Sequence, residues 1–195
     1  RLARNLDEFP FPSKLDTEGR DKVNSAVKSA LLCDGSDLSY IDMKSLSEIQ
    51  AVSLAEKHLI SPEFAARRDG TALLLSSDES VSIMLCEEDH IRIQVIKAGL
   101  ALEQAYAEAD KIDTILDGKL KYAFDERIGY LTQCPTNLGT AMRASVMLHL
   151  PALTRCGQIA RLAGTVSKLG LTIRGAYGEG SASTGDIYQI SNQIT

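Results

Sequence analysis

A chain of 195 residues, 44% hydrophobic and 24% charged, is long enough to bury a sizeable core and reads as a globular protein, which excludes a disordered or low-complexity polymer. Its formal net charge of −5 argues against nucleic acid as a partner, no apolar run approaches the roughly 18 residues of a membrane-spanning helix, and no secretory signal is visible. Four cysteines (Cys33, Cys86, Cys134 and Cys156) stand at no metal-ligand spacing and point to reduced thiols in a cytoplasmic protein.

Residues 1–14 carry Phe9-Pro10-Phe11-Pro12, which cannot be a regular helix or a central strand, so they read as an extended lead-in. Residues 17–33 predict a helix, because Val23, Ala26, Val27, Ala30 and Leu31 share one face; Asp34-Gly35 ends it. A strand is expected over 38–43. A second helix over 46–60 has Ile49, Val52, Ala55 and Leu59 on one side and is stopped by Ser61-Pro62. Arg67-Arg68-Asp69-Gly70 is a turn. Two strands, 71–76 and 81–86, follow, joined by Ser77-Asp78-Glu79-Ser80. After Glu87-Glu88-Asp89 comes a third strand, 91–96, in which Ile91, Ile93 and Val95 alternate with Arg92 and Gln94.

A long helix over 102–116 groups Leu102, Ala105, Tyr106, Ala109, Ile112 and Leu116. Residues 122–132 are expected to run as a strand into a loop at Cys134. Alternation makes 143–150 a strand, with Arg143, Ser145, Met147 and His149 on one side, ended by Pro151. Residues 152–169 read as one helix with Cys156, Ile159, Ala160, Ala163 and Val166 inward. Strands over 171–176 and 186–191 close the chain, separated by the glycine-rich stretch 178–183. Hairpin-like strand pairs outnumber strand-helix-strand units. The expected fold is therefore α+β, one domain over 1–195, with a largely antiparallel sheet flanked by helices.

Several residues are placed for chemistry. In Cys134-Pro135-Thr136-Asn137-Leu138-Gly139-Thr140 a thiol sits on a rigid proline turn, with Arg143 three residues beyond. Read alone, this is equally a buried thiol beside a loop. Arg92 and Arg143 alternate with apolar neighbours. A sheet face presenting arginines suits phosphate, which guanidinium forks bind bidentately, although such a face is also an ordinary solvated one. Glu87-Glu88-Asp89 is either a functional acidic turn or a solvated one. No Walker loop and no dinucleotide glycine fingerprint occurs, so a nucleotide site here would be built from side chains.

The cysteine stretch resembles the Cys-Pro-Ser/Thr-Asn-x-Gly-Thr motif of the phosphagen (guanidino) kinases. Three more blocks resemble that family, in its order: Glu87-Glu88-Asp89-His90-Ile91-Arg92, Arg174-Gly175-Ala176-Tyr177-Gly178-Glu179, and Ile187-Tyr188-Gln189-Ile190-Ser191-Asn192. Arg1-Leu2-Ala3-Arg4-Asn5 resembles the tail of its Ser-Ser-Arg-x-Arg-x-x-Arg-Asn block, so the chain is expected to be a fragment, incomplete at both ends. The resemblance implies a guanidino-kinase catalytic-domain (glutamine-synthetase-like) fold and the cofactors ATP and Mg²⁺, the metal riding on the nucleotide with no protein ligand set. It implies that Arg1, Arg92, Arg143 and Arg174 clamp the ATP phosphates. His58 would contact the nucleotide, with Ala144, Ser145, Val146, Met147, Gly175, Ala176, Tyr177 and Gly178 in the binding stretches. It makes Glu88 and Glu179 the carboxylates that grip the substrate guanidinium and take its proton. Cys134 would hold the substrate cation electrostatically.

Within the family the chain is most similar to the bacterial branch that phosphorylates arginine side chains of proteins. That likeness implies protein substrates with exposed arginine, an activator protein and a quality-control protease as partners, and leaves a homodimer open. A small-molecule guanidino kinase is the first rival. Such enzymes carry Tyr-Asp-Ile-Ser-Asn-Lys-Arg-Arg near the end, where this chain has Tyr188-Gln189-Ile190-Ser191-Asn192-Gln193-Ile194. The second rival is a non-catalytic phosphoarginine-binding module, against which the presence of Glu88, Cys134, Glu179 and all four arginines argues.

Overall fold

The computed structural model describes residues 1–33, 36–175 and 185–194. The lead-in holds a three-residue strand, β1 (Leu2–Arg4), then a 3-10 turn at Pro12–Lys14. Three residues are too few to show alternation, so no periodicity announces β1. Helix α1 (Thr17–Leu31) begins where the Asp16 carboxylate accepts from the Gly19 amide at 2.8 Å. Of its expected face, Val23, Val27, Ala30 and Leu31 are buried.

After β2 (Leu38–Asp42), helix α2 (Glu48–Glu56) starts from a capping box between Ser47 and Gln50 and is shorter than expected. Of its expected face, only Ala55 and Leu59 are buried. Ala51 and Ala55 are buried, while Ile49 and Val52 are 82% and 46% exposed. The space beneath is already filled by Met43, Phe64, Leu73 and Met84, which leaves room for alanines. Helix α2 ends at Glu56, ahead of the expected Ser61-Pro62 stop, with His58 at φ +60°, and Pro62 instead starts a new helix, α3 (Pro62–Ala66), capped by Ser61, whose hydroxyl accepts from the Phe64 amide at 3.1 Å.

Strands β3 (Ala72–Ser76), β4 (Val81–Leu85) and β5 (Ile91–Val95) follow as expected, then α4 (Leu102–Asp117). The buried stripe of α4 is Ala109, Asp113 and Leu116, with Leu102 and Tyr106 exposed. Ala109 and Leu116 belong to the expected face, and Asp113 joins them by turning inward to meet Arg4 at 2.6 Å. The single strand expected over 122–132 is a short hairpin, β6 (Phe124–Asp125) and β7 (Gly129–Tyr130). Its turn is made by the Asp125 carboxylate, which accepts from the amides of Arg127 (2.8 Å) and Ile128 (3.2 Å).

The five strands form one antiparallel sheet in the order β1-β5-β4-β3-β2. One face carries Leu74, Ile83, Leu85, Ile91 and Ile93 into a core with Val23, Val27 and Leu116. The other sends Leu73 and Met84 toward α2 and α3. Arg92 lies on this second face, in register with Ala3 and Met84.

The chain divides into two compact units, Arg1–Met142 and Arg143–Thr195. The second contains β8 (Ser145–His149), α5 (Pro151–Arg155), α6 (Ile159–Ser167), β9 (Leu171–Gly175) and β10 (Ile187–Asn192). Its strands are antiparallel in the order β8-β10-β9. Alternation chose correctly between helix and strand for β8. The helix expected over 152–169 is two helices. Gly157 adopts φ +65°, a left-handed conformation that ends α5 and leaves Cys156 exposed instead of inward.

Candidate active site

In the first unit the site is built on the turn between β4 and β5. Cys86 enters it with φ +60°, and its amide donates to the His90 carbonyl at 2.9 Å, closing the loop around Glu87, Glu88 and Asp89. The three carboxylates have different surroundings. Glu87 accepts from the Ser61 hydroxyl and from Arg92 Nη1, the latter at 2.5 Å. Burial alone would raise its pKa, but Arg92 and Ser61 outweigh that and hold it below the ordinary value. Glu88 is exposed. Partial desolvation, then the charges of Asp89 and Glu87, push its carboxyl upward.

Asp89 is buried and accepts from Asn5 Nδ2 (2.6 Å) and from the Gln133 amide (2.8 Å). The second bond ties the acidic turn to the segment that carries Cys134. Glu88 and Cys134 each stand one residue from that hydrogen-bonded pair. His90, fully buried, accepts from the Leu6 amide at Nδ1 (3.0 Å), so Nε2 carries the proton and donates to the Pro10 carbonyl at 2.9 Å. Burial pushes its pKa down, which keeps this neutral tautomer.

Positive charge faces the turn from two sides. Arg92 reaches it from β5, and its Nε is buried without a hydrogen bond. Burial keeps the pKa of Glu88 and Asp89 raised, the Arg1 guanidinium opposes that shift, and at Glu87 it adds to the lowering. His58 follows α2 with φ +60°, and its carbonyl accepts from Gln94 Nε2 at 2.7 Å. Gln94 is two residues along β5 from Arg92, on the same face. Burial lowers the His58 pKa.

Cys134 is half-buried, its Sγ 3.0 Å from Thr136 Oγ1. Its carbonyl accepts from Thr132 Oγ1 (2.8 Å) and the Asn137 amide (3.0 Å), which shapes the one-turn 3-10 helix Pro135–Asn137. The loop is held at its far end by Arg4, whose Nη1 donates to the Thr140 carbonyl at 3.1 Å. Arg4 is buried, pairs with Asp113 and lies 3.6 Å from the Tyr130 ring centroid. Gly129 approaches Gly139 so closely that a Cβ on it would stand 2.4 Å from the Gly139 carbonyl oxygen.

In the second unit the register places Met147, Gln189 and Arg174 in one row across the sheet. Gln189 Nε2 donates to the Ser145 hydroxyl at 2.9 Å on the same face. Val146 and Leu148 take the opposite face, that of Tyr188, whose hydroxyl meets Thr154 of α5 at 3.1 Å. Arg143 and Ala144 lead into β8, where the Ala144 amide donates to Asn192 Oδ1 at 2.9 Å. Gly175 ends β9. Ala176, Tyr177, Gly178 and Glu179 lie outside the described residues.

The first unit thus brings Arg1, Arg92, Glu88 and Cys134 around one turn and one loop, and the second presents Arg174, Ser145 and Met147 on one strand face. Sequence reasoning passed over Asn5, Ser61, Glu87, Asp89 and Gln133. Glu87 and Asp89 lay inside a quoted block. The roles of Asn5 and Gln133 come from pairings more than 40 positions apart, for which no local signal exists.

Among the described residues, an antiparallel α+β scaffold gathers arginines and carboxylates at strand ends and turns. The chain belongs to the ATP:guanido phosphotransferase family, whose C-terminal catalytic domain model matches residues 20–195. It is 49% identical over 196 residues to a protein-arginine kinase of Halothermothrix orenii, covering 100% of this chain and 56% of that one. It is 50% identical over 199 residues to a protein-arginine kinase of Clostridium acetobutylicum, covering 100% and 58%. The chain therefore spans a little over half the length of these curated relatives. Among solved structures, a duplicated taurocyamine kinase from Schistosoma mansoni with bound transition state analog components matches 99% of this chain and 28% of its own, with TM-score 0.84 and 28% identity. A lombricine kinase shares the fold at TM-score 0.79 and 23% identity, over 100% of this chain and 58% of its own. The expected guanidino-kinase catalytic fold is the observed one.

Proposed function

We propose that residues 1–195 are the phosphagen-kinase-like catalytic domain, as part of a longer chain, of a protein arginine kinase, which moves the γ-phosphoryl group of ATP to arginine side chains of proteins. The observation that carries the reading is the bond from the Gln133 amide to Asp89, which joins the acidic turn to the cysteine loop. The 48–50% identity of relatives named protein-arginine kinase supports the protein substrate over a small guanidine.

A guanidinium holds its proton with a pKa above about 12 and is a poor nucleophile until a base takes it. Glu88, exposed and with its carboxyl pushed up, is suited to accept that proton, with Glu179 as the second carboxylate gripping the fork. Cys134 holds the cation beside them. Arg1, Arg92, Arg143 and Arg174 clamp phosphate oxygens, and His58, Ala144, Ser145, Val146, Met147, Gly175, Ala176, Tyr177 and Gly178 line the nucleotide. The buried, unbonded Nε of Arg92 fits an incoming anion. ATP supplies the phosphoryl group, and Mg²⁺ is carried by phosphate oxygens and water. Among the described residues no three His, Cys, Asp or Glu side chains cluster as a cation site. Rate enhancement then comes from alignment and charge stabilisation.

Among the described residues no helix is long and apolar enough to cross a membrane. A cytoplasmic setting, an activator protein, a protease partner and a homodimer belong to the same reading. The test supplies the intact protein with labelled ATP, Mg²⁺ and either free arginine or an unfolded arginine-rich protein. Transfer to the protein is expected, and robust turnover of free arginine instead would move the assignment to a small-molecule kinase.

A further inference from the structure

Asn5 is only 2% exposed and its side chain is fully engaged. Nδ2 donates to Asp89 Oδ1 (2.6 Å) and to the Leu131 carbonyl (3.0 Å), and Oδ1 accepts from the His90 amide at 2.9 Å. A flipped amide would set its oxygen against the Asp89 carboxylate and its NH₂ against the His90 N–H, so the partners fix the orientation. The Asn5 carbonyl accepts from the Ala123 amide at 2.8 Å. Asp89, held by Asn5, in turn accepts from the Gln133 amide. One buried amide therefore grips the residue after Glu88, the residue after that, and the backbone three residues before Cys134.

We propose that Asn5 is a positioning residue for phosphoryl transfer, setting Glu88 and Cys134 at their working separation without touching the reacting atoms. The proposal rests on the guanidino-kinase reading above. Only an amide supplies what the site uses, two donors and an acceptor on one planar group. Aspartate has the shape but no donor and would face Asp89 as a like charge. Serine has one donor on a shorter arm. Because a misplacement of about 1 Å in a reacting geometry is worth about a hundredfold in rate, loss of this clasp is felt in turnover before it is felt in nucleotide binding.

The test uses the intact protein carrying Cys33→Ser and Cys156→Ser, so that alkylation by iodoacetamide reports on Cys134. Asn5→Asp, which keeps the shape and removes both donors, is compared with Asn5→Ser, which keeps one donor on a shorter arm. Asn5→Asp is expected to lower kcat by about tenfold or more with the KM for ATP unchanged. It should also alter the rate of Cys134 alkylation several-fold. Asn5→Ser, measured in parallel in case Asn5→Asp does not fold, is expected to lower kcat in a folded protein. Folded Asn5 variants with wild-type kcat and wild-type alkylation would overturn the proposal. A wild-type protein that phosphorylates no arginine removes the functional reading and the catalytic half of this proposal. The alkylation series decides the geometric half independently.

Discussion

Removing the carboxylate of Asp113 tests how the cysteine loop is held. Arg4 and Asp113 have side chains only 5% and 11% exposed, 2.6 Å apart. Asp113 also accepts from the Tyr122 hydroxyl at 3.0 Å, and Tyr122 is itself buried. Asp113→Ala leaves the Arg4 guanidinium buried against the Tyr130 ring and two main-chain carbonyls, with no counter-charge. Breaking a buried pair from one side costs about 3–5 kcal/mol, and the orphaned hydroxyl adds to that. At about 2–4 °C per kcal/mol for a chain of this size, the melting temperature should fall by about 6–20 °C. The double variant Arg4→Met/Asp113→Leu, which removes both charges and restores apolar volume, should regain most of the loss. Urea unfolding monitored by circular dichroism reads both. An Asp113→Ala protein within about 1 kcal/mol of wild type would refute the claim that this pair anchors β1 to α4 and the loop.

Other consequences follow from the acidic turn and its neighbours. Glu87 has its folded pKa held below the ordinary 4.5, so its contribution to stability is present above 4.5 and is lost as pH falls through the depressed value. Wild type should therefore lose more stability than Glu87→Gln between about pH 5 and about pH 3, and parallel stability curves would contradict this. Glu88 is shifted the other way, so the acid limb of the pH–rate profile should lie above an ordinary glutamate. A limb at or below 4.5 would show that Glu88 is not the group titrating. Gly129 has φ +83° and faces the Gly139 backbone, so Gly129→Ala should destabilise by at least about 1–2 kcal/mol and disturb the cysteine loop. An unchanged urea midpoint would count against that close approach.

What the amino-acid sequence made legible is whatever repeats over a short distance. The apolar stripe of α1, the short apolar runs of β3 and β4 and the alternation in β5 and β8 gave those elements and the α+β class. Where competing partners decide, the local pattern misleads. Asp113 is drawn inward by a residue 109 positions away, which no apolar stripe announces, while Leu102 and Tyr106 of the expected face stay exposed. In α2 the already filled core selects alanines over Ile49 and Val52. At Gly157 a single left-handed residue splits an otherwise continuous apolar pattern. For the candidate site, the motifs named Glu88, Cys134, Arg92 and Arg174. They are silent on how Glu87, Glu88 and Asp89 differ, because that difference is made by Ser61, Arg92, Asn5 and Gln133, which are brought in by the tertiary fold.

The central claim is that Glu88 serves a phosphoryl transfer to arginine. Its most direct test is phosphoarginine formation on an unfolded arginine-rich protein, read by mass spectrometry, for intact wild type beside Glu88→Gln with ATP affinity measured in parallel. The account predicts phosphoarginine from wild type and a loss of about 10²–10⁴ in turnover for the variant at unchanged ATP affinity. Full turnover by Glu88→Gln would contradict it.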